Sequence, residues 1–253
     1  MASLEAAPSL RQRRRGVAVG EILTASERHL DEHGPGGLSL RAVARSLGMT
    51  VQALYHYFPR RDDLITALVT KAFGDLADAV QAAADTPPDD PALPRMVAAA
   101  EGFRAWAIAH PERFQLIYGT PLRHYEAPVE GATTQSVRRM SAVFRRELLG
   151  GYTPAQLAAC ESPELSPSFH AHLERLPPEG LGSIPAPAAA IFLSTWGHMY
   201  GLVALEVFGH TAFVGAHQAE VFRVAMLNLA ADVRRRIPGP RDPARSHPAT
   251  VQE

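Results

Sequence analysis

The chain has 253 residues, 46% of them apolar and 20% charged, with a formal net charge of −1 and a single cysteine, Cys160. That size supplies core enough for one large domain, or for a small and a medium one. One cysteine excludes an intramolecular disulfide framework and any multi-cysteine metal cluster, and it suits a reducing cytoplasm.

The near-zero charge conceals an asymmetry. Residues 1–61 hold nine arginines against five acids, a balance of +4, so the remainder of the chain carries −5. A basic module ahead of an acidic body is the electrostatic arrangement for docking a polyanion, although a solvated basic tail gives the same count. Arg13-Arg14-Arg15 lies near the start, but no apolar stretch of signal-peptide type follows it. Residues 1–15 are expected to form a flexible basic arm.

Strand signals are nearly absent and helical periodicity recurs throughout, so the expected fold class is all-α. Val19, Ile22, Leu23, Ser26 and Leu30 share one face of a first helix from Gly16 to His33, stopped by Gly34-Pro35-Gly36-Gly37. Ser39 is the expected N-cap of a short second helix whose inner face holds Leu40, Val43, Ala44 and Leu47. Gly48 turns the chain, and Thr50 caps a third helix with Val51, Leu54, Tyr55 and Phe58. Pro59 ends it, because the residue before a proline disfavours the helical region. Asp62 and Asp63 open a fourth helix to about Ala84, where acids suit the helix dipole. The proline-rich run 87–91 reads as a hinge. Beyond it, helices are expected at 92–109, 111–118, 133–149, 154–173, 186–209 and 215–236, and residues 237–253 as a disordered tail.

The span Ser39–Phe58 reads SLRAVARSLGMTVQALYHYF. Two short helices about a glycine turn are the geometry of a helix-turn-helix, in which the first helix braces the DNA backbone and the second enters the major groove. Burying the inner apolar positions leaves the outward ones to touch DNA. Gln52 suits an adenine edge, while Arg41 and Arg61 suit phosphate or guanine. Thr50 brings free helix N–H groups towards a phosphate. Tyr55, His56 and Tyr57 offer donors and a surface for a thymine methyl, with completion of a small aromatic core as the other use of Tyr57.

The stretch ILTASERHLDEHGPGGLSLRAVARSLGMTVQALYHYFPRRDDLITAL resembles the tetracycline-repressor (TetR) family of transcriptional regulators across residues 14–76. The resemblance rests on the "LYHYF" ending, the glycine before "MT", and "RRDDL" entering the fourth helix. It implies a three-helix DNA-binding head (residues 16–76, motif 39–58) joined by a long helix to a six- or seven-helix ligand-binding and dimerisation domain (77–236). It further implies DNA contacts from Ser39, Arg41, Thr50, Val51, Gln52, Ala53, Tyr55, His56, Tyr57 and Arg61, the last usually a lysine in the family. Trp196-Gly-His-Met-Tyr-Gly201 is similar to a subfamily marked by a tryptophan-histidine-glycine pattern, with Tyr200 where a histidine is usual.

In the second domain, the apolar helices 188–209 and 215–236 carry Gly197, Gly201, Ala204, Ala225 and Ala230, small residues that suit pairing with a second copy. Ala188–Phe208 contains Ser194, Thr195, His198 and Glu206, which makes membrane insertion costly. Phe103, Trp106, Phe114, Tyr118, Trp196 and Tyr200 are candidate linings of a ligand pocket, or plain core. No metal is expected from His56 or from His170 and His172, and no cofactor. Cys160 is either a redox sensor or an inert thiol.

These expectations describe a cytoplasmic homodimeric repressor released from its operator by a small apolar or amphipathic molecule. An activator, or a regulator answering to a protein, has the same fold. An enzyme is the rival class, against which stand the absence of a phosphate-binding glycine loop, a nucleophile elbow and paired carboxylates.

Overall fold

The computed structural model describes residues 9–87, 90, 92–119, 125, 131–177 and 181–239, and all its regular elements are helical. In chain order these are α1 (Leu10–His33), a 3₁₀ turn (Pro35–Gly37), α2 (Leu40–Ser46), α3 (Val51–Tyr57), α4 (Arg61–Asp85), α5 (Arg95–Ala109) and α6 (Pro111–Tyr118). There follow α7 (Ala132–Leu149), α8 (Pro154–Ala158), α9 (Pro167–Glu174), α10 (Ala186–Val207), a second 3₁₀ segment (Ala212–His217) and α11 (Gln218–Arg236). Positions 88, 89 and 91 of the proline-rich hinge lie outside the described residues, as does the expected tail beyond Gly239.

Two boundaries depart from expectation for identifiable reasons. Helix α1 starts at Leu10, six residues before Gly16, so Arg11 to Arg15 are helical and not a flexible arm. Ser9 and Gln12 form a reciprocal capping box: Ser9 Oγ accepts from Gln12 N at 3.2 Å and Ser9 N donates to Gln12 Oε1 at 2.7 Å. The single helix expected over 154–173 is two helices. Its middle is unwound from Ala159 to Ser166, where Pro163 cannot donate and Glu161 N donates to Arg236 O at 2.7 Å. Ser166 then caps α9, with Pro167 at the first helical position.

Close packing divides the chain into two units. One holds the described residues up to Ala79 together with those from Ala105 to Val137; the other holds Val80–Arg104 and those from Arg138 onward. The division therefore falls inside α4, α5 and α7.

In the first unit, α1 to α4 enclose a core that includes Ile22, Leu40, Val43, Leu54, Phe58 and Leu64. Leu54 and Val43 are wholly buried, whereas Leu47 and Val51 are only half-buried. Helix α6 belongs to this unit, with Phe114 buried and Tyr118 edge-on to Phe73 at 5.5 Å.

Across that core runs a chain of ion pairs centred on Glu27, which is 7% exposed. Its carboxylate meets Lys71 of α4 at 2.9 Å and Arg113 of α6 at 3.5 Å. Each cation has a second acid: Lys71 pairs with Asp75 at 2.6 Å, and Arg113 with Asp31 at 2.8 Å. A buried carboxylate is tolerable only when compensated, and two cations compensate this one. Although partial burial opposes it, the hydrogen bonds from Lys71 to Asp75 and Glu27 hold the ammonium above its ordinary range.

In the second unit, α10 packs on α8, α9 and α11. Phe103, Phe144 and Trp196 form an aromatic triangle with centroid distances of 5.6 to 6.5 Å, all at steep interplanar angles. Arg104 donates through Nε and Nη2 to the two carboxylate oxygens of Glu206, and Arg223 Nε donates to Glu101 Oε1 at 2.5 Å, joining α5 to α10 and α11.

Replacing Glu27 with alanine takes one carboxylate from each of two cations, leaving Lys71 with Asp75 and Arg113 with Asp31, and is expected to lower the unfolding free energy by about 1–3 kcal/mol. Urea unfolding reads this as a lower midpoint at unchanged slope; an unchanged midpoint shows that the carboxylate holds nothing together.

Candidate nucleic-acid interface

Helices α2 and α3 are seven residues each, and each begins on a side-chain cap. Ser39 Oγ accepts from Ala42 N at 3.4 Å, and Thr50 Oγ1 accepts from Ala53 N at 3.1 Å. Between them, Leu47 and Gly48 N–H groups donate to Ala44 and Arg45, and Met49 N donates to Ala44 O at 2.9 Å. Gly48 lies at φ 65, a left-handed conformation that costs a side-chain-bearing residue about 1–2 kcal/mol. The tight turn sets the angle at which α3 leaves α2. Leu54 and Phe58 then pin α3 from beneath, and Phe58 adopts extended backbone ahead of Pro59.

That anchoring decides which side chains face outward. Arg41, Thr50, Gln52, Tyr55 and His56 are exposed, while Ser39, Val51, Ala53, Tyr57 and Arg61 are half-buried. Tyr55 is 37% exposed, enough to present its ring and hydroxyl together. The Tyr57 ring packs against the head core, which is the second of the uses foreseen for it, and Arg15 lies over it at 5.4 Å. Arg15 also donates to Tyr57 O at 3.4 Å, and His56 stands edge-on to the Tyr57 ring at 5.7 Å. Beside the motif, Arg60 donates to Asp63 Oδ1 at 2.7 Å, which holds that carboxyl below its usual range and fastens the start of α4.

Two arginines are absent from the sequence-derived set. Arg45 is exposed and stands one turn from Arg41 on the same face of α2. Its spacing was a usable signal. Arg15 reaches the end of α3 only because α1 is helical through the arginine run.

The aromatic candidates for a pocket are divided between the two units. Phe114 and Tyr118 pack together at 5.2 Å in the first unit, where Trp106 lies against His110 at 5.4 Å. Phe103, Trp196 and Tyr200 belong to the second unit. There Trp196 lines a partly open apolar cavity with Met96, Phe144, Phe192, Met199 and Met226. About 10 Å³ of it is open to the centre of a water molecule, room for roughly one water. Thr195 and Leu229 line it too, and they also line a second, more polar cavity of about 360 Å³ whose lining includes Ser162, Ser194, Asp232 and Arg236. Phe103 supports Trp196 edge-on at 5.6 Å without lining either space.

One group of side chains among the described residues could share a metal ion: His29, Glu32 and His33, with ligand atoms within 4.8 Å of one another. One nitrogen of each imidazole lies within hydrogen-bond reach of a backbone carbonyl, Gly37 O at 3.2 Å and His29 O at 3.1 Å respectively. Glu32 and His33 lie open to solvent.

A tight turn between two short capped helices, the second with a buried underside and a polar outer face, defines a helix-turn-helix protein. Comparison with known proteins places the class. Residues 22–68 match the family described as bacterial regulatory proteins, tetR family, and residues 96–229 match tetracyclin repressor-like, C-terminal domain. HTH-type transcriptional regulators of Mycobacterium bovis and Mycobacterium tuberculosis are 34% identical over 190 residues, covering 75% of this chain and 80% of theirs. The crystal structure of the regulatory protein SCO4313 aligns with TM-score 0.68 and 30% identity, covering 87% of this chain and 98% of that one. A RolR structure in complex with resorcinol aligns with TM-score 0.50 and 15% identity, over 90% and 96% of the two chains, a likeness of fold. The chain belongs to the TetR family and is a DNA-binding transcriptional regulator. Neither match singles out the tryptophan-histidine-glycine subfamily.

Cys160 is 7% exposed, and burial pushes its thiol above the ordinary value. The thiolate is the reactive form. The folded protein is therefore expected to resist a thiol reagent at pH 8 and to react fully once unfolded in guanidinium. Rapid labelling of the native protein revives the redox reading.

Proposed function

We propose that this regulator is a homodimeric repressor whose two heads occupy a near-palindromic operator and leave it when a small amphipathic molecule enters the second unit. Ser39, Arg41, Thr50, Val51, Gln52, Ala53, Tyr55, His56, Tyr57 and Arg61 are the proposed DNA contacts. The observation that carries the reading is the division of labour on α3, with Leu54 wholly buried and Gln52, Tyr55 and His56 exposed. Such a helix keeps its polar face for base edges in the major groove. A repressor of this kind works in the cytoplasm, where its operator lies.

The dimer is inferred from the apolar surface left uncovered. Seven of the thirteen large apolar side chains exposed among the described residues lie on α10, α11 and the segment between them, including Leu205, Phe208, Val221 and Val224. At Gly197 and Gly201 a side chain would meet nothing within 4 Å, which suits close approach of a partner helix. Ala230 is buried within its own unit, so it leaves that face.

The effector is inferred from the paired cavities. A drug-sized ligand needs about 300 Å³ or more, so the Trp196 cavity must widen, and movement of Thr195 or Leu229 joins it to the polar one. An apolar body beside Trp196 with a polar group towards Arg236 fits that shape. Such a molecule releases DNA only by binding the off-DNA arrangement more tightly than the other. Helix α4, continuous from Arg61 to Asp85, is the proposed link.

Gel-shift titration with DNA from upstream of its own coding region tests the first claim. Arg41→Ala or Tyr55→Ala is expected to weaken binding about 5- to 100-fold with an unchanged melting temperature. Equal affinity for random duplex in the parent protein ends the repressor reading. Val224→Glu is expected to yield monomers in sedimentation; a variant that stays dimeric moves the interface elsewhere.

A further inference from the structure

The first two turns of α1 are helical without a core to rest on. Leu10 and Val17 are 58% and 64% exposed, and a side chain at Gly16 or Gly20 would meet nothing within 4 Å. Arg11, Arg13, Arg14 and Arg15 are all exposed, and the first turn holds no acid. Among the described residues no carboxylate stands in ion-pair reach of Arg11, Arg13 or Arg14. Crowded like charges on one helix repel, so this segment is built for an anionic surface that it meets from outside.

Its geometry says which surface. At about 100° per residue, Arg11, Arg14 and Arg15 share an arc of about 100°, with Arg13 behind. Arg15 is fixed over the Tyr57 ring and bonded to the Tyr57 carbonyl, at the end of α3. A line of guanidinium groups thus begins at the end of α3 and continues about 6 Å along α1.

We infer that the amino-terminal turns of α1 are a phosphate-binding rail that engages the backbone of the duplex read by α3, through Arg11 and Arg14, with Tyr57 positioning Arg15. The rail rests on the DNA-binding reading of α2 and α3, and it adds affinity without sequence preference, because phosphates are the same at every step.

The test is the salt dependence of binding by the full chain to two duplexes of equal length, one from upstream of its own coding region and one of random sequence. The double variant Arg11→Gln, Arg14→Gln is expected to lose about tenfold on both, keep their affinity ratio, and reduce the log–log salt slope by about 1.8. Circular dichroism should stay unchanged, because neither side chain is buried. Gln52→Ala is the opposite control, lowering the ratio at constant slope. An unchanged slope in the double variant, with Gln52→Ala still effective, overturns the rail and spares the α3 interface. A changed affinity ratio in the double variant overturns the claim of phosphate contact. Failure of the parent protein to bind either duplex overturns both readings.

Discussion

A carboxylate taken out of water needs compensating partners, and Glu27 meets two cations from different helices. Its removal would not loosen α1 alone. Lys71 and Arg113 would each lose a partner, and Asp75 and Asp31 would each face a cation released from its second bond. The relative placement of α1, α4 and α6 therefore answers to one side chain. Apolar packing could hold these helices at several nearby registers; a shared carboxylate with directional hydrogen bonds selects one. The head presents its reading helix from that fixed base.

The turn works on a smaller scale by the same logic. Gly48 takes a conformation closed to most residues, and Leu54 and Phe58 lock the helix beyond it. These features were legible in the sequence because each is local: a glycine between two capped helices, apolar spacing of three and four, and a proline at the end. Ser9 and Gln12 were equally local, but the arginine run between and beyond them reads as a tail unless the capping box is sought first. The break between α8 and α9 was legible too, in Ser166-Pro167, and a continuous apolar period concealed it.

The features that the sequence withheld are long-range. Glu27 lies 44 residues from Lys71 and 86 from Arg113, and no periodicity links them. The aromatic side chains of the second half looked alike, yet Phe114 and Tyr118 became core of the first unit while Trp196 came to line a cavity. Which residues surround Trp196 depends on how α5, α7, α10 and α11 meet. Three of those neighbours are methionines from separate helices, Met96, Met199 and Met226. Flexible and polarizable, methionine side chains fill irregular spaces between helices.

Thr195 and Leu229 are common to the walls of the small apolar space and the larger polar one. Two side chains are thus shared by both spaces of the second unit. Trimming either residue would enlarge the usable chamber without disturbing the aromatic triangle or the ion pairs of α5. On the proposed ligand-released reading, lineages that share this scaffold would have a short evolutionary path from recognising a compact molecule to recognising an elongated one, with the reading head left untouched.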